Sequence, residues 1–145
     1  MRSNVSAVRL VLVAALAASV SLGGVACALP GAVDDLDGTQ WRLVEWSVSS
    51  LAPQDFEITL GFDGDQLGGK AAVNSYGGSY STGRQGAFST GDIAQTLMAG
   101  PEPAMRAESV YFELLAQAER YSLDGARLVL STAAGVEVLV FERAP

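Results

Sequence analysis

The 145-residue sequence contains no histidine and only one cysteine. Most zinc and copper sites use histidine or cysteine ligands, and a Ser-His-Asp triad needs a histidine base, so these kinds of site are excluded. A single cysteine cannot form a disulfide within the chain. Nine basic and 16 acidic residues give a net charge of −7. This charge argues against a nucleic-acid surface, which needs clustered cations.

Long apolar runs are also scarce, and the clearest one lies near the N terminus. From Leu10 to Val20 every residue except Ser19 is Leu, Val or Ala. Arg2 and Arg9 precede this run and small residues follow it, which is the order of a secretory signal peptide. The run is shorter than the ~20 residues that a membrane-spanning helix needs. The pattern therefore predicts a signal peptide over residues 1–26 and an exported protein.

Cys27 stands at the end of the predicted signal peptide. The sequence Gly24-Val25-Ala26-Cys27 resembles the lipobox of bacterial lipoproteins, in which the cysteine is acylated and becomes the new N terminus. We therefore predict lipidation of Cys27 and a lipid anchor in the membrane of the cell envelope. Two alternatives stay open. Cleavage after Ala28 would give a soluble secreted or periplasmic protein, and the cysteine could also occur there by chance.

The segment that follows the cysteine is short and acidic. Residues 28–37 (ALPGAVDDLD) include proline, glycine and three aspartates, so they bury little apolar surface. We expect residues 27–37 to form a lipidated N terminus and linker, followed by one domain over 38–143. Removal of the signal peptide leaves 7 basic and 16 acidic side chains, a net charge of −9. Anionic lipid headgroups would repel such a domain beyond its tether.

The domain has the alternating pattern of β-strands. Residues 41–48 form the first apolar stretch, and residues 56–62 alternate cleanly between apolar and polar side chains, as in a half-buried strand. Asp63-Gly64 and Asp124-Gly125 are tight hairpin signals between strands. Seven of the 16 glycines lie in residues 68–91, beside aromatic residues, which suggests short and strongly curved strands.

One segment, from about 102 to 118, has helical rather than strand spacing. Proline is tolerated in the first turn of a helix, and Glu102 suits its positive end. The apolar residues that follow lie on one face, which predicts a core-facing amphipathic helix. Glu108 projects between Phe112 and Leu115 on this apolar face. A carboxylate there must be paired, hydrogen-bonded or protonated. Either it bonds a backbone amide or an arginine at the helix edge, or it makes a polar contact inside a ligand cavity.

Several stretches together resemble one protein family. Leu36–Leu43 (LDGTQWRL) looks like the opening Leu-x-Gly-x-x-Trp-x-Leu of META domains, the family that includes HslJ-like heat-shock lipoproteins. Gly69–Tyr80 (GKAAVNSYGGSY) and Thr96–Pro101 (TLMAGP) resemble two further motifs of that family, and Met105 and Glu108 match its helix. The resemblance covers about 36–143. Four motifs in the right order are more specific than any one of them.

The resemblance has implications for both fold and stability. It implies a fold of the α+β class, mostly β: a small curved antiparallel sheet or partly open barrel closed by one amphipathic helix. Where the family often has two cysteines, this chain has Val73 and Gly100. Their joint absence is expected if the two cysteines normally pair, so this domain must rely on packing. Ala72 replaces a usual glycine, which makes the local turn uncertain.

The sequence offers little for catalysis. It contains no Gly-x-Ser-x-Gly or Ser-x-x-Lys pattern, so we predict no enzyme activity, no cofactor and no metal site. META domains are linked with envelope stress, and we expect a monomeric binding, assembly or stress-tolerance module that contacts an envelope protein. The alternative is a carrier of a lipid or hydrophobic small molecule in a sheet–helix cleft. The candidate contact residues are Trp41, Asn74, Tyr76, Tyr80, Glu108 and Phe112.

Overall fold

The computed structural model describes residues 35–48 and 50–145. The predicted signal peptide, Cys27 and most of the predicted linker lie outside the described residues. Within these described residues one α-helix and eight strands follow in chain order: β1 Gln40–Trp46, β2 Thr59–Asp63, β3 Gln66–Ala71, β4 Asn74–Thr82, β5 Phe88–Gln95, α1 Glu102–Ala116, β6 Arg120–Asp124, β7 Arg127–Ser131 and β8 Glu137–Arg143.

All eight strands belong to one antiparallel sheet in the order β5-β4-β3-β2-β1-β8-β7-β6. The sheet curls until its two end strands approach each other. They are joined by a bridge between Ala87 and Arg120, and the Phe88 amide donates to the Glu119 carbonyl oxygen at 2.9 Å. Past Phe88, strand β5 pairs with β4 and with no other strand of the described chain. The predicted mostly-β, partly open barrel with one helix is confirmed.

The helix packs against β3 and β8 with its apolar face toward the core. It begins at Glu102, as the prolines predict, and ends at Ala116, two residues before the expected end. The chain leaves the helix there because the Gln117 amide bonds to the Leu114 carbonyl oxygen, which tightens the last turn. Ala118 is buried, and β6 starts two residues later.

The glycine-rich strands are longer than predicted. Strand β4 has nine residues and β5 has eight. In this part of the sheet, glycine allows neighbouring strands to approach closely and does not end the strands. A Cβ atom on Gly69 would lie 2.3 Å from the Thr59 carbonyl oxygen, and one on Gly78 would lie 2.4 Å from that of Asp92. The curvature comes in part from a register shift between Gly78 and Tyr80 in the β4–β5 pairing.

Elsewhere in the sequence, the local patterns predicted the turns correctly but not the start of strand β2. Both Asp-Gly turns form as predicted, with Gly64 and Gly125 at φ of +59° and +58°. The strand predicted from residue 56 instead starts at Thr59, because a short 3₁₀ turn at Pro53–Asp55 precedes it. Ile58 contributes an isolated bridge to Ala71.

The packed domain includes two residues that the sequence analysis placed in the linker. Leu36 is fully buried, and the side-chain carboxylate of Asp37 accepts the Gly64 amide at 2.7 Å. The Gly38 amide bonds to the Phe62 carbonyl oxygen at 3.0 Å. The described chain therefore enters the domain beside the β2–β3 turn.

The turn between β3 and β4 is formed although alanine replaces the usual glycine. Ala72 adopts φ of +70°, a left-handed conformation that costs roughly 1–2 kcal/mol for a residue with a Cβ atom. Its amide donates to the Glu57 carbonyl oxygen at 3.2 Å, and the Val73 amide donates to that of Ala71 at 2.9 Å. These bonds hold the turn in spite of the strain.

The two positions at which the family often has cysteine are in contact. A Cβ atom built on Gly100 would lie 2.6 Å from Val73 Cγ2 and 3.4 Å from Val73 Cβ. Disulfide-bonded cysteines have Cβ atoms roughly 3.5–4.5 Å apart. Packing of a valine against a glycine thus occupies the place that a disulfide bond could fill.

The double variant Val73→Cys/Gly100→Cys, made in a Cys27→Ser background, should form a disulfide on oxidation. It closes a loop of the kind that stabilises by about 3 kcal/mol, which urea unfolding with and without reductant would measure. The control is the Val73→Cys single variant, whose stability should not respond to reductant. Two free thiols after oxidation would contradict the contact.

Candidate functional site

The buried carboxylate of Glu108 joins the helix to the β3–β4 turn. Its Oε2 accepts the backbone amides of Val73 at 3.2 Å and Asn74 at 2.7 Å, and its Oε1 accepts Asn74 Nδ2 at 2.8 Å. Glu108 is only 5% exposed. Of the alternatives left open by the sequence, the structure shows backbone amides and one asparagine as the partners. Three donors to one carboxylate offset the cost of burying its charge.

Asn74 extends the same network to the segment before the helix. Its Oδ1 accepts the Met98 amide at 2.7 Å and the Thr96 hydroxyl at 2.8 Å, and its Nδ2 also donates to the Met98 carbonyl oxygen at 3.2 Å. The side chain thus pairs with both backbone groups of Met98, as a neighbouring strand would. We call Asn74 and Glu108 the buried polar network; the exposed Thr96 is bonded to its edge.

Glu108→Gln should lower the free energy of unfolding by about 2 kcal/mol, because one acceptor oxygen becomes a donor that faces other donors. Glu113→Gln is the matched control, since Glu113 lies on the exposed side of the same helix and should change stability by less than about 0.5 kcal/mol. Urea unfolding gives both values, and hydrogen exchange at the Met98 amide should accelerate in Glu108→Gln alone. Equal stability of the two variants would refute the role of the network.

Tyr76 and Tyr111 form a second buried polar pair. Their hydroxyl oxygens are 2.5 Å apart, and Tyr76 also donates to the Thr59 carbonyl oxygen at 2.8 Å, so Tyr111 donates to Tyr76. Burial raises the pKa of the Tyr76 phenol and raises that of Tyr111 well above its usual value. Both phenols therefore stay protonated in the folded protein at neutral pH, where they act as packing and hydrogen-bonding groups.

Trp41 and Tyr80, two further candidate residues, lie in the core. Trp41 is fully buried and its indole nitrogen donates to the Thr39 hydroxyl at 2.6 Å, while the guanidinium of Arg143 lies 4.8 Å from its ring. The ring of Tyr80 meets that of Phe62 edge-on, with centroids 4.8 Å apart. These positions belong to the packed interior, and a contact of either residue with a ligand or partner stays a prediction.

Phe112 is the candidate residue that reaches a surface groove. It is half-buried and lies next to Tyr76, with ring centroids 5.4 Å apart. We call this depression the β5–α1 groove; it has a volume of about 300 Å³ and is lined by Thr90, Gly91, Ile93, Gln95, Phe112, Leu115 and Ala116. The alternative function, a carrier, would need a cavity lined by Trp41, Phe56, Ile58, Phe112 and Leu115, and of these only Phe112 and Leu115 border the groove. Trp41 and Ile58 are fully buried, so the core beneath is filled.

Sequence reasoning missed two adjacent large apolar residues that are exposed. Leu97 is 91% exposed and Met98 is 55% exposed, just beyond the end of β5. They lie in a run without charged residues, from Ile93 to Pro101. This lack of charge was the feature of the sequence that could have indicated an apolar surface. A binding module could contact its partner through an exposed aromatic patch, but the large exposed apolar side chains among the described residues are aliphatic.

Two further findings concern the described residues as a whole. No group of three or more Asp, Glu, His or Cys side chains among them is arranged to hold a metal ion. The helix within this part of the chain is neither long nor apolar enough to cross a membrane.

These features define a small mostly-β domain, a partly open barrel with one helix tied to it by a buried carboxylate. The META domain family matches residues 34–145, and the chain belongs to this family. No curated protein matches the chain.

Solved structures with a similar fold include two bacterial proteins. The NMR structure of a protein from Burkholderia xenovorans is 26% identical, with a TM-score of 0.61 over 75% of this chain and 83% of that one. A crystal structure of a DUF4847 family protein from Bacteroides vulgatus is 12% identical, with a TM-score of 0.53 over 74% of this chain and 93% of that one. The second likeness concerns the fold alone.

Proposed function

We propose that this protein is an envelope-anchored lipoprotein whose META domain is a non-catalytic binding module, and that the module takes an extended segment of a partner protein along strand β5. The observation that supports this function best is the open edge of β5 beside the β5–α1 groove. Past Phe88 this edge has no neighbouring strand within the described chain. An extended peptide that adds to such an edge gains main-chain hydrogen bonds.

The composition of β5 favours pairing with an added strand, because the residues that usually protect an exposed sheet edge are missing from it. Edge strands are commonly protected by lysine, proline or an inward-pointing charge. Strand β5 (FSTGDIAQ) has neither lysine nor proline, and its one charged residue, Asp92, is exposed. Ile93 and Phe112 border the adjoining groove and offer apolar contacts to alternate side chains of an added strand. Main-chain bonds would supply affinity and the groove would supply selectivity.

A photo-crosslinking residue at Thr90, expressed in the native cells, should form a defined adduct with an envelope protein. The adduct should disappear on Ile93→Lys, because a charge then lies in the apolar groove, while circular dichroism shows an unchanged fold. Arg42, exposed on the central strand β1, is the control position. Equal labelling at Thr90 and Arg42, or an adduct indifferent to Ile93→Lys, would rule out this use of β5.

A carrier of a lipid or hydrophobic small molecule is the second candidate function. The observation that favours it is the groove volume of about 300 Å³, together with the apolar side chains of Phe112 and Leu115. This volume is at the lower end for small-molecule pockets, roughly 300–1,000 Å³, and the core below it is filled. Native mass spectrometry of protein purified from its own envelope separates the two functions, since a carrier should retain a lipid mass.

The anchor rests on the sequence around Cys27, which lies outside the described residues. Cys27→Ser should abolish labelling by a radioactive fatty acid and release the protein into the soluble fraction. The matched control is Ser21→Ala within the signal peptide, which leaves the cysteine in place and should label normally. Membrane association that survives Cys27→Ser would contradict the anchor, and an unlabelled soluble wild-type protein would indicate cleavage after Ala28 instead.

A further inference from the structure

Two arginines border one small depression where the sheet closes on itself, beside the starts of β5 and β6. The depression has a volume of about 160 Å³. It is lined by Arg84, Gln85, Ala87, Glu119, Arg120 and Ala133. Sites for drug-sized molecules begin at roughly 300 Å³. This depression can therefore take only a small ligand.

The two guanidinium groups have no carboxylate partner within the described chain. Neither Arg84 nor Arg120 forms an ion pair there, whereas three other basic side chains do. Arg120 donates to the Gln85 carbonyl oxygen at 3.0 Å, which uses one of the five N–H donors of its guanidinium. Glu119 lines the same depression but pairs with neither arginine. Two like charges at one depression repel each other, and an anion between them would be attracted by both.

The backbone beside these arginines has a conformation that suits an anion. In the short 3₁₀ turn Arg84–Gly86, between β4 and β5, the right-handed Arg84 is followed by Gln85 at φ of +59° and Gly86 at φ of +73°, both left-handed. Where a right-handed residue precedes a left-handed one, successive amide N–H groups converge on one concave side and can hold an anion. A residue with a Cβ atom rarely adopts such a φ, and positions of this kind are concentrated at ligand sites.

The turn is fixed by its neighbours without any ligand. The Gly83 amide donates to the Ala87 carbonyl oxygen at 2.9 Å, and Ala87 forms a bridge with Arg120. A Cβ atom on Gly86 would lie 2.5 Å from the Tyr121 carbonyl oxygen, so the turn packs directly against β6. Because these contacts already order the backbone, little affinity would be lost to its ordering on binding.

We infer that this depression is a binding site for a single phosphate group, held by Arg84 and Arg120 and by the amides of Gln85 and Gly86. We call these four residues the anion site. A guanidinium binds two phosphate oxygens in parallel, which makes arginine well suited to this ligand. The inference needs neither the proposed lipid anchor nor the use of strand β5.

Soluble phosphates and the headgroups of anionic phospholipids both present such a group. Without the signal peptide the chain carries 7 basic and 16 acidic side chains. This excess of acid repels an anionic membrane surface as a whole, so we expect a soluble phosphate as the source.

The first test titrates the ¹⁵N-labelled protein, in micelles of an uncharged detergent, with inorganic phosphate at constant ionic strength. The NMR amide signals of Gln85 and Gly86 should shift and saturate, and Arg84→Gln should weaken the affinity by about fivefold or more because one guanidinium is lost. Arg42→Gln is the matched control, since it removes the same charge from an exposed position on the central strand β1 and should leave the affinity unchanged. Shifts that chloride reproduces, or that both variants weaken equally, would overturn the inference.

The second test separates the two sources of the phosphate group. Phosphatidylglycerol or phosphatidylcholine is added to the same micelles, and the Gln85 and Gly86 signals are followed. Saturable shifts with inorganic phosphate and none with either lipid would assign the anion site to a soluble phosphate. Shifts with phosphatidylglycerol alone, lost in Arg84→Gln and kept in Arg42→Gln, would assign it to an anionic headgroup. No shift with phosphate or with either lipid would overturn the inference and leave the β5 proposal untouched.

Discussion

One buried carboxylate determines how the parts of this domain are joined. Glu108 lies on the apolar face of the helix, where an ionised group is costly unless several donors surround it. Its partners are two amides of the β3–β4 turn and the side chain of Asn74. Asn74 in turn holds the backbone of Met98. The helix, the turn and the chain that leads into the helix therefore have one relative position at which all these groups are satisfied.

That fixed position accounts for the groove beside β5. Phe112 and Leu115 follow Glu108 by one and two helical turns and border the groove beside β5. In the other direction, Asn74 holds the exposed chain between β5 and the helix. The buried polar network is thus a structural element that positions the groove without lining it. A loss of binding in a Glu108 variant would not identify Glu108 as a contact residue.

Local patterns predicted much of the fold but not its closure. The Asp-Gly turns and the helix depend on neighbouring residues, and both were predictable. The lengths of β4 and β5 were not predictable, because they depend on which residue of the neighbouring strand lies beside each glycine, as Asp92 lies beside Gly78. The helical spacing correctly placed Glu108 on the apolar face, but its hydrogen-bond partners lie 34 and 35 residues away in the sequence. The exposed Leu97 and Met98 were missed because exposed residues produce no periodic pattern.

The contact between Val73 and Gly100 has a consequence for biogenesis. With no second cysteine in the sequence, the domain needs neither a thiol oxidase nor a disulfide isomerase to reach its native state. Under the proposed lipidation, Cys27 also has no second thiol in the sequence with which it would mispair before acylation. In the proposed lipoprotein, disulfide formation therefore does not compete with lipid attachment for sulfur, as it would in a chain with three cysteines.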